Sequence, residues 1–483
     1  MMRIAVLAGL VGTSRGAKRR GPSVEETMAN WSEHSRCTRV IEPPSSYYSS
    51  SVLVAIAYDS EDPLPPLAVI NSTLSQSAVV ELAAVTTTSA KIDLLRLLRA
   101  PRVKSELPGD LGRRVRVCDG FDLVLAQRPA LAALAAMDAP VRRRELLSVF
   151  NFAAFYLPHA LSAARILYLD TDAIARGDIG RRAAAVFAGS KRPAAAVEDC
   201  SQRLGKYVNF GLLDRALRSD LPALRERFFG FQRKVTEDTC VFNRGVVLFD
   251  SERWRALRLT TTIEKLVAYY VKSKARLWRG GVSQPPFLVA LAGRYKKLPL
   301  EWNVRGVGRV DLSKTELDRL DAIIQTKRPR TNSTYAALLR ETRRVGPFEK
   351  RAPFVAPLAA RANVIHFTGE IKPWKISNRA ALNYGAYGVH ITPSGHVLGE
   401  CRLDDERALR HRNYSTTTQL FASGCFARLP LCSCGPHCVE ACAAVWHRFV
   451  SPAARDLARS FPNYPPNHLP RSRSRSRSRS HPP

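Results

Sequence analysis

The sequence predicts an α/β fold with a mostly parallel, Rossmann-like central sheet. In the first 170 residues, short apolar runs of strand length alternate with longer segments of helical periodicity, and one run ends in two carboxylates, Asp170 and Asp172. Strands that alternate with helices imply parallel pairing, with helices covering both faces of the sheet. At 483 residues and 45% apolar content, the chain is long and apolar enough to bury such a core.

The predicted elements follow one another from residue 52. Strands are expected where short apolar runs occur, and helices where apolar residues recur every three or four positions. The expected strands are Val52–Ala57, Val79–Val85, Val115–Cys118 and Ile166–Leu169. The expected helices are Leu67–Gln76, Ile92–Leu98 and Arg142–Leu157. Because no Gly-x-Gly-x-x-Gly turn follows the first strand, a dinucleotide-dependent oxidoreductase is not expected.

Asp170 and Asp172 lie two residues apart, directly after the strand at 166–169. Side chains alternate between the two faces of an extended segment, so both carboxylates point the same way. Ligands of open α/β sheets bind beyond the carboxyl ends of the strands, where such a pair could hold a divalent cation and a diphosphate. The alternative interpretation is that two aspartates simply end a strand and begin a turn.

The strand-like run at 240–250 is interrupted by Asn243 and Gly245. A glycine there would let the backbone approach a ligand closely, and Asn243 offers both a donor and an acceptor. A simple β-bulge is the alternative explanation, and for this motif alone it is the favoured one.

The segment 365–374 places His366, Gly369 and Lys372 at a spacing of three residues. An imidazole can complete a metal shell begun by carboxylates, a glycine exposes backbone N–H groups, and an ammonium neutralises phosphate. Taken alone, His366 is more simply explained as a structural histidine. Together with the aspartate pair, the three residues indicate a binding site.

The chain is strongly basic, with 74 Lys and Arg against 42 Asp and Glu and a net charge of +32. Only five of the arginines lie in the Arg-Ser repeat at 471–480, so the positive charge is spread along the chain. A cationic surface favours an anionic partner such as a phosphate, an acidic polysaccharide or nucleic acid. An arginine-rich coding sequence would give the same count without any such partner.

Five of the ten cysteines cluster near the C-terminus, at positions 425, 432, 434, 438 and 442. This density predicts either a local disulfide framework or a zinc site assisted by His437 or His447. The spacing lacks the paired Cys-x-x-Cys knuckles of common zinc modules, which favours disulfides. The fifth cysteine of the cluster would then need Cys401 or another partner.

Together these motifs resemble the retaining glycosyltransferases of family 8. Four ordered segments carry the resemblance: 167–172, 242–247, Trp302-Asn303 and 366–374. The similarity is greatest to the plant galacturonosyltransferase-like branch, through Phe-Tyr-Leu-Pro (155–158), Val-Glu-x-Cys (197–200), Arg-Trp-Arg (253–255), Pro-Pro-Phe-Leu (285–288) and Trp-Asn-x-x-Gly-x-Gly (302–308). It covers about residues 50–378, or two thirds of the chain.

The resemblance implies a GT-A fold that binds a UDP-sugar donor and Mn²⁺ or another divalent cation. The implied reaction transfers a hexose, with retention at the anomeric carbon, to a glycan or polysaccharide acceptor that could be acidic. Three residues match the family's metal ligands: Asp170, Asp172 and His366. Two match its diphosphate-binding residues: Gly369 and Lys372.

The resemblance also implies roles around the donor. Tyr58 and Asp59 occupy the position where family members recognise the uracil and the ribose. Asn243 and Gly245 fall in the motif that lines the donor sugar, and Gln284 is the candidate polar group near the anomeric carbon. Asn243 and Gln284 are therefore the candidate catalytic residues.

One departure from the family pattern affects the donor site. The pattern Asn-x-x-Arg-x-Tyr-Leu appears at 151–157 with Ala154 in place of the arginine. A positive charge is therefore missing unless another arginine substitutes for it, the candidates being Arg142, Arg143, Arg144 and Arg165. The departure supports an alternative function, a catalytically inactive protein that binds nucleotide-sugars or glycans on the same fold.

The first 48 residues bear on localisation. One arginine precedes a short apolar run at 4–12, which resembles a signal-peptide core, but Lys18-Arg19-Arg20 follows directly, which is atypical of a cleaved signal. Sequons at Asn30, Asn71, Asn332 and Asn413 permit a lumenal location. We expect the secretory pathway, in particular the Golgi lumen, or the cytoplasm if the N-terminus is not a signal. Membrane association is expected only through the N-terminus.

The predicted organisation is a leader and linker at 1–48, a catalytic domain at 49–378, a C-terminal lobe with a cysteine-rich module at 379–450, and a disordered tail at 451–483. Arg-Ser repeats are often found in nucleic-acid-binding or protein-interaction tails. No RNA-recognition motif accompanies this one, so we expect a solvated tail and no nucleic-acid partner.

Overall fold

The computed structural model describes part of the chain, with side chains at 22–41, 52–78, 80–137, 147–200, 202–231, 234–305, 362–368, 372–374, 444–462 and 464. It describes the backbone alone at 201, 355–356, 375, 386–391, 397–399, 431–435 and 438–443. Predictions about Gly369, Arg142 to Arg144, the Arg-Ser repeat and the side chains of the cysteine cluster lie outside these residues.

The strands, numbered along the chain, are β1 Cys37–Arg39, β2 Leu53–Ala57, β3 Glu81–Val85, β4 Val115–Cys118, β5 Arg165–Leu169, β6 Ala173–Ala175, β7 Ala194–Arg203, β8 Cys240–Asp250, β9 Tyr295–Leu298, β10 Val355–Ala356, β11 Val364–His366, β12 Ala386–Ile391, β13 Val397–Gly399, β14 Leu431–Gly435 and β15 Cys438–Ala441. The four strands predicted from the first 170 residues are present, with their ends shifted by at most two residues.

Within the described chain, eight strands form the central sheet in the order β1-β4-β3-β2-β5-β8-β7-β9. Six of them run in one direction, and β1 and β8 run against them. The predicted α/β class with a mostly parallel sheet is therefore confirmed. Two smaller sheets accompany it, a pair formed by β6 and β11 and a sheet in the order β10-β14-β15-β12-β13.

The helices are α1 Val24–Ala29, α2 Glu33–Arg36, α3 Leu64–Gln76, α4 Thr88–Arg99, α5 Pro101–Lys104, α6 Leu111–Arg114, α7 Phe121–Ala126, α8 Pro129–Ala135, α9 Leu157–Ala160, α10 Ile179–Val186, α11 Phe210–Ser219, α12 Pro222–Phe229, α13 Ser251–Ala256, α14 Leu259–Lys272, α15 Gln284–Leu291, α16 Cys442–His447 and α17 Pro452–Arg459. Short 3₁₀ helices lie at Val149–Phe155, Leu204–Lys206, Leu300–Trp302 and Pro373–Lys375.

The central sheet is buried on both faces, because alternate side chains of one strand enter different cores. In β2, Leu53 and Ala55 belong to one apolar cluster with residues of α8, α14 and α15. Val54 and Ile56 belong to a second cluster with residues of α3, α4 and α10. This arrangement explains why the strands have continuous apolar sequences instead of alternating ones.

The helix predicted at 142–157 is wrong over its described part. Residues 149–155 form a 3₁₀ helix that Ser148 caps by accepting a hydrogen bond from the backbone N–H of Phe150. A separate α-helix, α9, begins at Leu157 with Pro158 in its first turn. Because proline has no N–H to donate to the preceding turn, a single continuous helix cannot pass through this point.

Two segments outside the predicted catalytic domain pack against it. The predicted leader contains residues 22–41, where Trp31 is buried in the core and a disulfide joins Cys37 of β1 to Cys118 of β4. The predicted tail contains residues 451–462, where α17 buries Ala454 and Ala458 and packs against α3 and α4. Short amphipathic segments of this kind carry little signal in the sequence.

A second disulfide joins Cys200 and Cys240 across β7 and β8. Every cysteine whose side chain the structure describes is therefore paired. Neither bond was predicted, because the four cysteines are isolated in the sequence, unlike those of the cluster at 425–442. Within the described residues, none of the helices is long and apolar enough to cross a bilayer.

A buried ion pair connects the N-terminal segment to the core. Arg128 donates two hydrogen bonds to Glu264, from Nε at 2.6 Å and from Nη2 at 2.8 Å, and its Nη1 donates to the carbonyls of Pro22 and Ser23. Tyr156 donates to the same carboxylate at 2.6 Å. The network fixes residues 22–27 against α8 and α14.

We expect Arg128→Met to lower the free energy of unfolding by about 3–5 kcal/mol, because it leaves the Glu264 carboxylate buried without its cation. Urea unfolding of the wild-type and variant proteins measures this loss. The double variant Arg128→Met, Glu264→Met removes both charges and should be less damaging than the single variant. A loss below about 1 kcal/mol for the single variant, the value of an exposed pair, would contradict the role given to this network.

Candidate functional site

Asp170 and Asp172 follow β5 at the carboxyl edge of the central sheet, as predicted. β5 is buried from Ile166 to Leu169, and the chain leaves the sheet at Asp170, whose N–H donates to the carbonyl of Gly245 at 2.8 Å. Both carboxylates are partly buried, with side chains 26% and 16% exposed. They are accessible enough to bind a ligand and are held by the strand.

His366 reaches the same point from a distant part of the sequence. It ends β11, which pairs antiparallel with β6 so that His366 lies opposite Ala173. Its backbone N–H donates to the carbonyl of Val304, and the next residue, Phe367, donates to the carbonyl of Asp172. The strand pairing therefore places the imidazole against the aspartates.

The three side chains converge within one small volume. His366 Nε2 lies 2.9 Å from Asp172 Oδ1 and 3.7 Å from Asp170 Oδ2. One ligand atom from each residue lies within 4.8 Å of the other two, a separation that one cation could bridge. The spacing predicted from sequence is therefore matched in space.

The orientation of the imidazole is fixed from its other side. His366 Nδ1 lies 3.1 Å from Oδ1 of Asn303, and both residues are buried. A carbonyl oxygen can only accept a hydrogen bond, so Nδ1 donates to Asn303, and this contact turns the ring so that Nε2 faces the carboxylates. This is the arrangement found around histidine ligands of metal ions.

Lys372 adds a positive charge beside Asp172. Its Nζ lies 2.5 Å from Asp172 Oδ2 and also donates to the carbonyl of Phe367. Burial raises the pKa of the Asp172 carboxyl, but the charges of His366 and Lys372 outweigh burial and hold this pKa well below its ordinary value. Asp172 is therefore ionised at neutral pH.

Gly245 forms the floor of the site. A Cβ at this position would lie 2.2 Å from His366 Cε1 and 2.5 Å from Asp170 Oδ2. Both distances are too short for non-bonded atoms, so residue 245 cannot carry a side chain without displacing these groups. The pairing of β8 with β7 is broken between Phe242 and Val247, so the backbone bulges here. The β-bulge interpretation is therefore confirmed, and the bulge brings backbone against Asp170 and His366.

Asn243 and Gln284 stabilise this bulge. Asn243 Oδ1 accepts from the backbone N–H of Gly245 at 2.9 Å. Gln284 Oε1 accepts from the backbone N–H of Arg244 at 3.2 Å, and its Nε2 donates to the carbonyl of Phe242. In this structure both amides bind the backbone, so their observed role is to shape the site.

Tyr58 and Asp59 follow β2 at the level of the aspartate pair, because the register pairs Ala55 of β2 with Tyr168 of β5. The side chain of Tyr58 is buried in the core, and burial raises its pKa. Asp59 is exposed and accepts a hydrogen bond from Ser148. Only Asp59 of this predicted pair is therefore available to a ligand without rearrangement.

The guanidinium that the structure places beside Asp170 belongs to Arg244, which is not among the predicted site residues. Arg244 Nη1 lies 3.8 Å from Asp170 Oδ1, and Nη2 donates to Asn151 Oδ1 at 3.2 Å. Ala154 is buried in the 3₁₀ helix that contains Asn151. Arg165, one of the predicted substitutes, lies at the opposite end of β5 and donates to the carbonyl of Ala184.

Three residues that contact the candidate ligands were not predicted to do so: Tyr168, Arg244 and Asn303. Tyr168 donates to Asp170 Oδ1 at 2.8 Å, and its position two residues before Asp170 already placed it on the same face of the strand. Arg244 is a charged residue inside the apolar run 240–250, which is unusual enough to have been noticed. Asn303 belongs to the Trp-Asn-x-x-Gly-x-Gly motif, which by itself does not indicate the contact of Asn303 with His366.

Comparison with known proteins identifies related sequences. The model of a family described as glycosyl transferase family 8 matches residues 132–377, just over half of the chain. The human glycosyltransferase 8 domain-containing protein 2 is 29% identical over 178 residues, which are 34% of this chain and 48% of that protein. Probable galacturonosyltransferase-like 9 of Arabidopsis thaliana is 30% identical over 266 residues, 55% of this chain and 61% of that protein.

The chain thus spans about half the length of the relatives it matches first. Among solved structures, the apo form of the bifunctional glycosyltransferase WbbM aligns with a TM-score of 0.40 and 17% identity, over 69% of this chain and 48% of that chain.

Proposed function

Because the chain belongs to glycosyl transferase family 8, we propose that it is a hexosyltransferase that moves a sugar from a UDP-sugar donor to a glycan or polysaccharide acceptor, with retention at the anomeric carbon. The observation that carries this proposal is the convergence of Asp170, Asp172 and His366 beside the Lys372 ammonium. Two carboxylates, an imidazole and an ammonium form a site for a divalent cation that carries a diphosphate.

The residues present fit a divalent cation. His366 Nε2 is oriented toward the carboxylates by the contact of Nδ1 with Asn303, and Gly245 lacks the Cβ that would displace His366 and Asp170 from these positions. Asp170, Asp172 and His366 would hold the cation, and mixed carboxylate and imidazole ligation suits Mn²⁺ better than Mg²⁺. When bound, the cation supplies Lewis-acid stabilisation of the leaving diphosphate.

The protein's own groups would complete the reaction. Lys372 would place a second positive charge on the diphosphate as the glycosidic bond breaks. Gly369 is the proposed source of a backbone N–H for the same group, and Asp59 the proposed contact with the nucleoside. Asn243, Gly245 and Gln284 would line the donor sugar, with Gln284 nearest the anomeric carbon. No carboxylate is assigned as a nucleophile, which favours attack by the acceptor on the face that UDP leaves.

Calorimetry of UDP with and without Mn²⁺, followed by hydrolysis assays over a panel of UDP-hexoses, tests this proposal. We expect UDP to bind tightly only with the cation, EDTA to remove this binding, and one donor to be hydrolysed. Binding without turnover of any donor would favour the alternative function, a catalytically inactive nucleotide-sugar-binding protein. Absence of cation-dependent UDP binding would overturn both.

The two disulfides support a location in the secretory pathway, with the Golgi lumen as the proposed compartment, because such bonds persist in oxidising environments. Of the two sequons in the described residues, Asn30 is exposed and Asn71 is buried on α3. A lumenal protein would therefore carry a glycan at Asn30 and none at Asn71 once folded.

A further inference from the structure

Arg244 lies where two parts of the site meet. It stands in the β8 bulge, next to Gly245, which contacts both His366 and Asp170. Its side chain is only 15% exposed, and its guanidinium lies between Asn151 on one side and Asp170 on the other. A charged side chain this buried needs the compensation that the carboxylate gives.

The two oxygens of Asp170 have different surroundings. Oδ1 accepts from Tyr168 at 2.8 Å and lies 3.8 Å from Arg244 Nη1. Oδ2 lies 3.7 Å from His366 Nε2, on the side where the other candidate ligands converge. Tyr168 and Arg244 therefore engage one oxygen and leave the other to face the cation site.

Each aspartate of the site faces a basic side chain in the absence of a ligand. Arg244 is paired with Asp170, and Lys372 is paired with Asp172. A divalent cation that arrived alone would leave this cluster strongly positive. A cation that arrived with a diphosphate would leave it close to neutral, and partly buried charges interact strongly enough for this difference to matter.

We propose that Arg244 is a positioning residue that holds Asp170 through one oxygen and makes the site take its divalent cation together with the nucleotide diphosphate instead of alone. The inference rests on the proposed function, since it concerns the same site. Beyond the proposed function, it assigns a role to a residue that is not a cation ligand. It also makes the affinity for the cation depend on the bound nucleotide, and by linkage the affinity for the nucleotide then depends equally on the cation.

Titration calorimetry of Mn²⁺ alone, of Mn²⁺ with saturating UDP, and of UDP in EDTA tests the proposal on the full chain. The variants are Arg244→Gln, which removes the charge, and Arg244→Lys, which keeps it. Arg218→Gln is the matched control, because it removes an exposed arginine that pairs with Asp214 on α11. Thermal unfolding of each protein shows whether the fold is retained.

We expect UDP to raise the Mn²⁺ affinity of the wild-type protein by about 100-fold, within the usual range of coupling between sites. Arg244→Gln should bind Mn²⁺ alone more tightly than the wild-type protein does, and UDP should raise its Mn²⁺ affinity by only about tenfold. Arg244→Lys should retain most of the coupling, and Arg218→Gln all of it.

If Arg244→Gln weakens Mn²⁺ binding equally with and without UDP, the role of Arg244 is merely structural and the inference is overturned. Unchanged Mn²⁺ affinities in this variant would overturn it as well. If Arg244→Gln does not fold, the Arg244→Lys variant decides the question. If the folded Arg244→Lys protein loses the coupling between UDP and Mn²⁺, the positive charge of Arg244 is not the cause and the inference is rejected. A wild-type protein without Mn²⁺-dependent UDP binding rejects the proposed function instead.

Discussion

Asp172→Ala is expected to abolish cation-dependent UDP binding and to lower kcat/KM by on the order of 10³-fold, the upper range for losing a group that stabilises charge in the transition state. Asp172 is the residue that contacts both other parts of the site, with Oδ1 2.9 Å from His366 Nε2 and Oδ2 2.5 Å from Lys372 Nζ. Its removal takes away a proposed cation ligand and releases both partners. Calorimetry with UDP and Mn²⁺, and a donor hydrolysis assay, measure the two losses.

The fold should survive this change. The backbone carbonyl of Asp172, which accepts from Phe367, is untouched by the substitution. Asp214→Ala is the matched control, because it removes an aspartate that forms an ion pair with Arg218 on α11. Retention of the wild-type Mn²⁺ dependence in a folded Asp172→Ala protein would show that the ligand assignment is wrong.

Gly245→Ala should inactivate the site by steric displacement while all of its charges remain. The added Cβ would lie 2.2 Å from His366 Cε1 and 2.7 Å from His366 Nε2. The imidazole is 1% exposed and held by Asn303 and Asp172, so it cannot move aside without breaking those contacts. We expect a loss on the order of 10³-fold in kcat/KM, comparable to removing a group that stabilises charge in the transition state.

Gly211→Ala provides the comparison for this substitution. Gly211 lies in α11, where an added Cβ would meet nothing closer than 3.6 Å, and alanine favours the helix by up to about 1 kcal/mol. Both variants should unfold cooperatively near the wild-type temperature. Full activity of Gly245→Ala would mean that the ligands do not occupy the positions described for them.

Much of the fold was predictable because the strands of a parallel sheet are continuous apolar runs. β2, β3, β4 and β5 each occur where such a run occurs in the sequence. Elements outside the parallel sheet were harder to predict. β1 and α17 are short, and their burial depends on partners remote in sequence, such as Cys118 for Cys37.

The chemistry of the site was predictable to the extent that it lies in local motifs. Asp170, Asp172, His366 and Lys372 are brought together as expected, because β5 and β11 fix two of the segments. Tyr58 was not predictable in the same way, since its burial depends on the packing of the second core and not on its neighbours in sequence. The contact of Arg244 with Asp170 was not predictable, because pairing between residues 170 and 244 leaves no periodic signal, although a charge within the apolar run 240–250 marks Arg244 as unusual.

The pairing of β11 with β6 has a consequence for the order in which the protein becomes functional. His366 and Asp172 are separated by 194 positions, so their contact forms only after the segment that carries His366 has been synthesised and has paired with β6. A nascent chain that has completed β2 to β8 has a sheet but no imidazole and no ammonium at its edge. Under the proposed function, binding of the donor therefore requires that synthesis has passed residue 372 and that β11 has paired with β6.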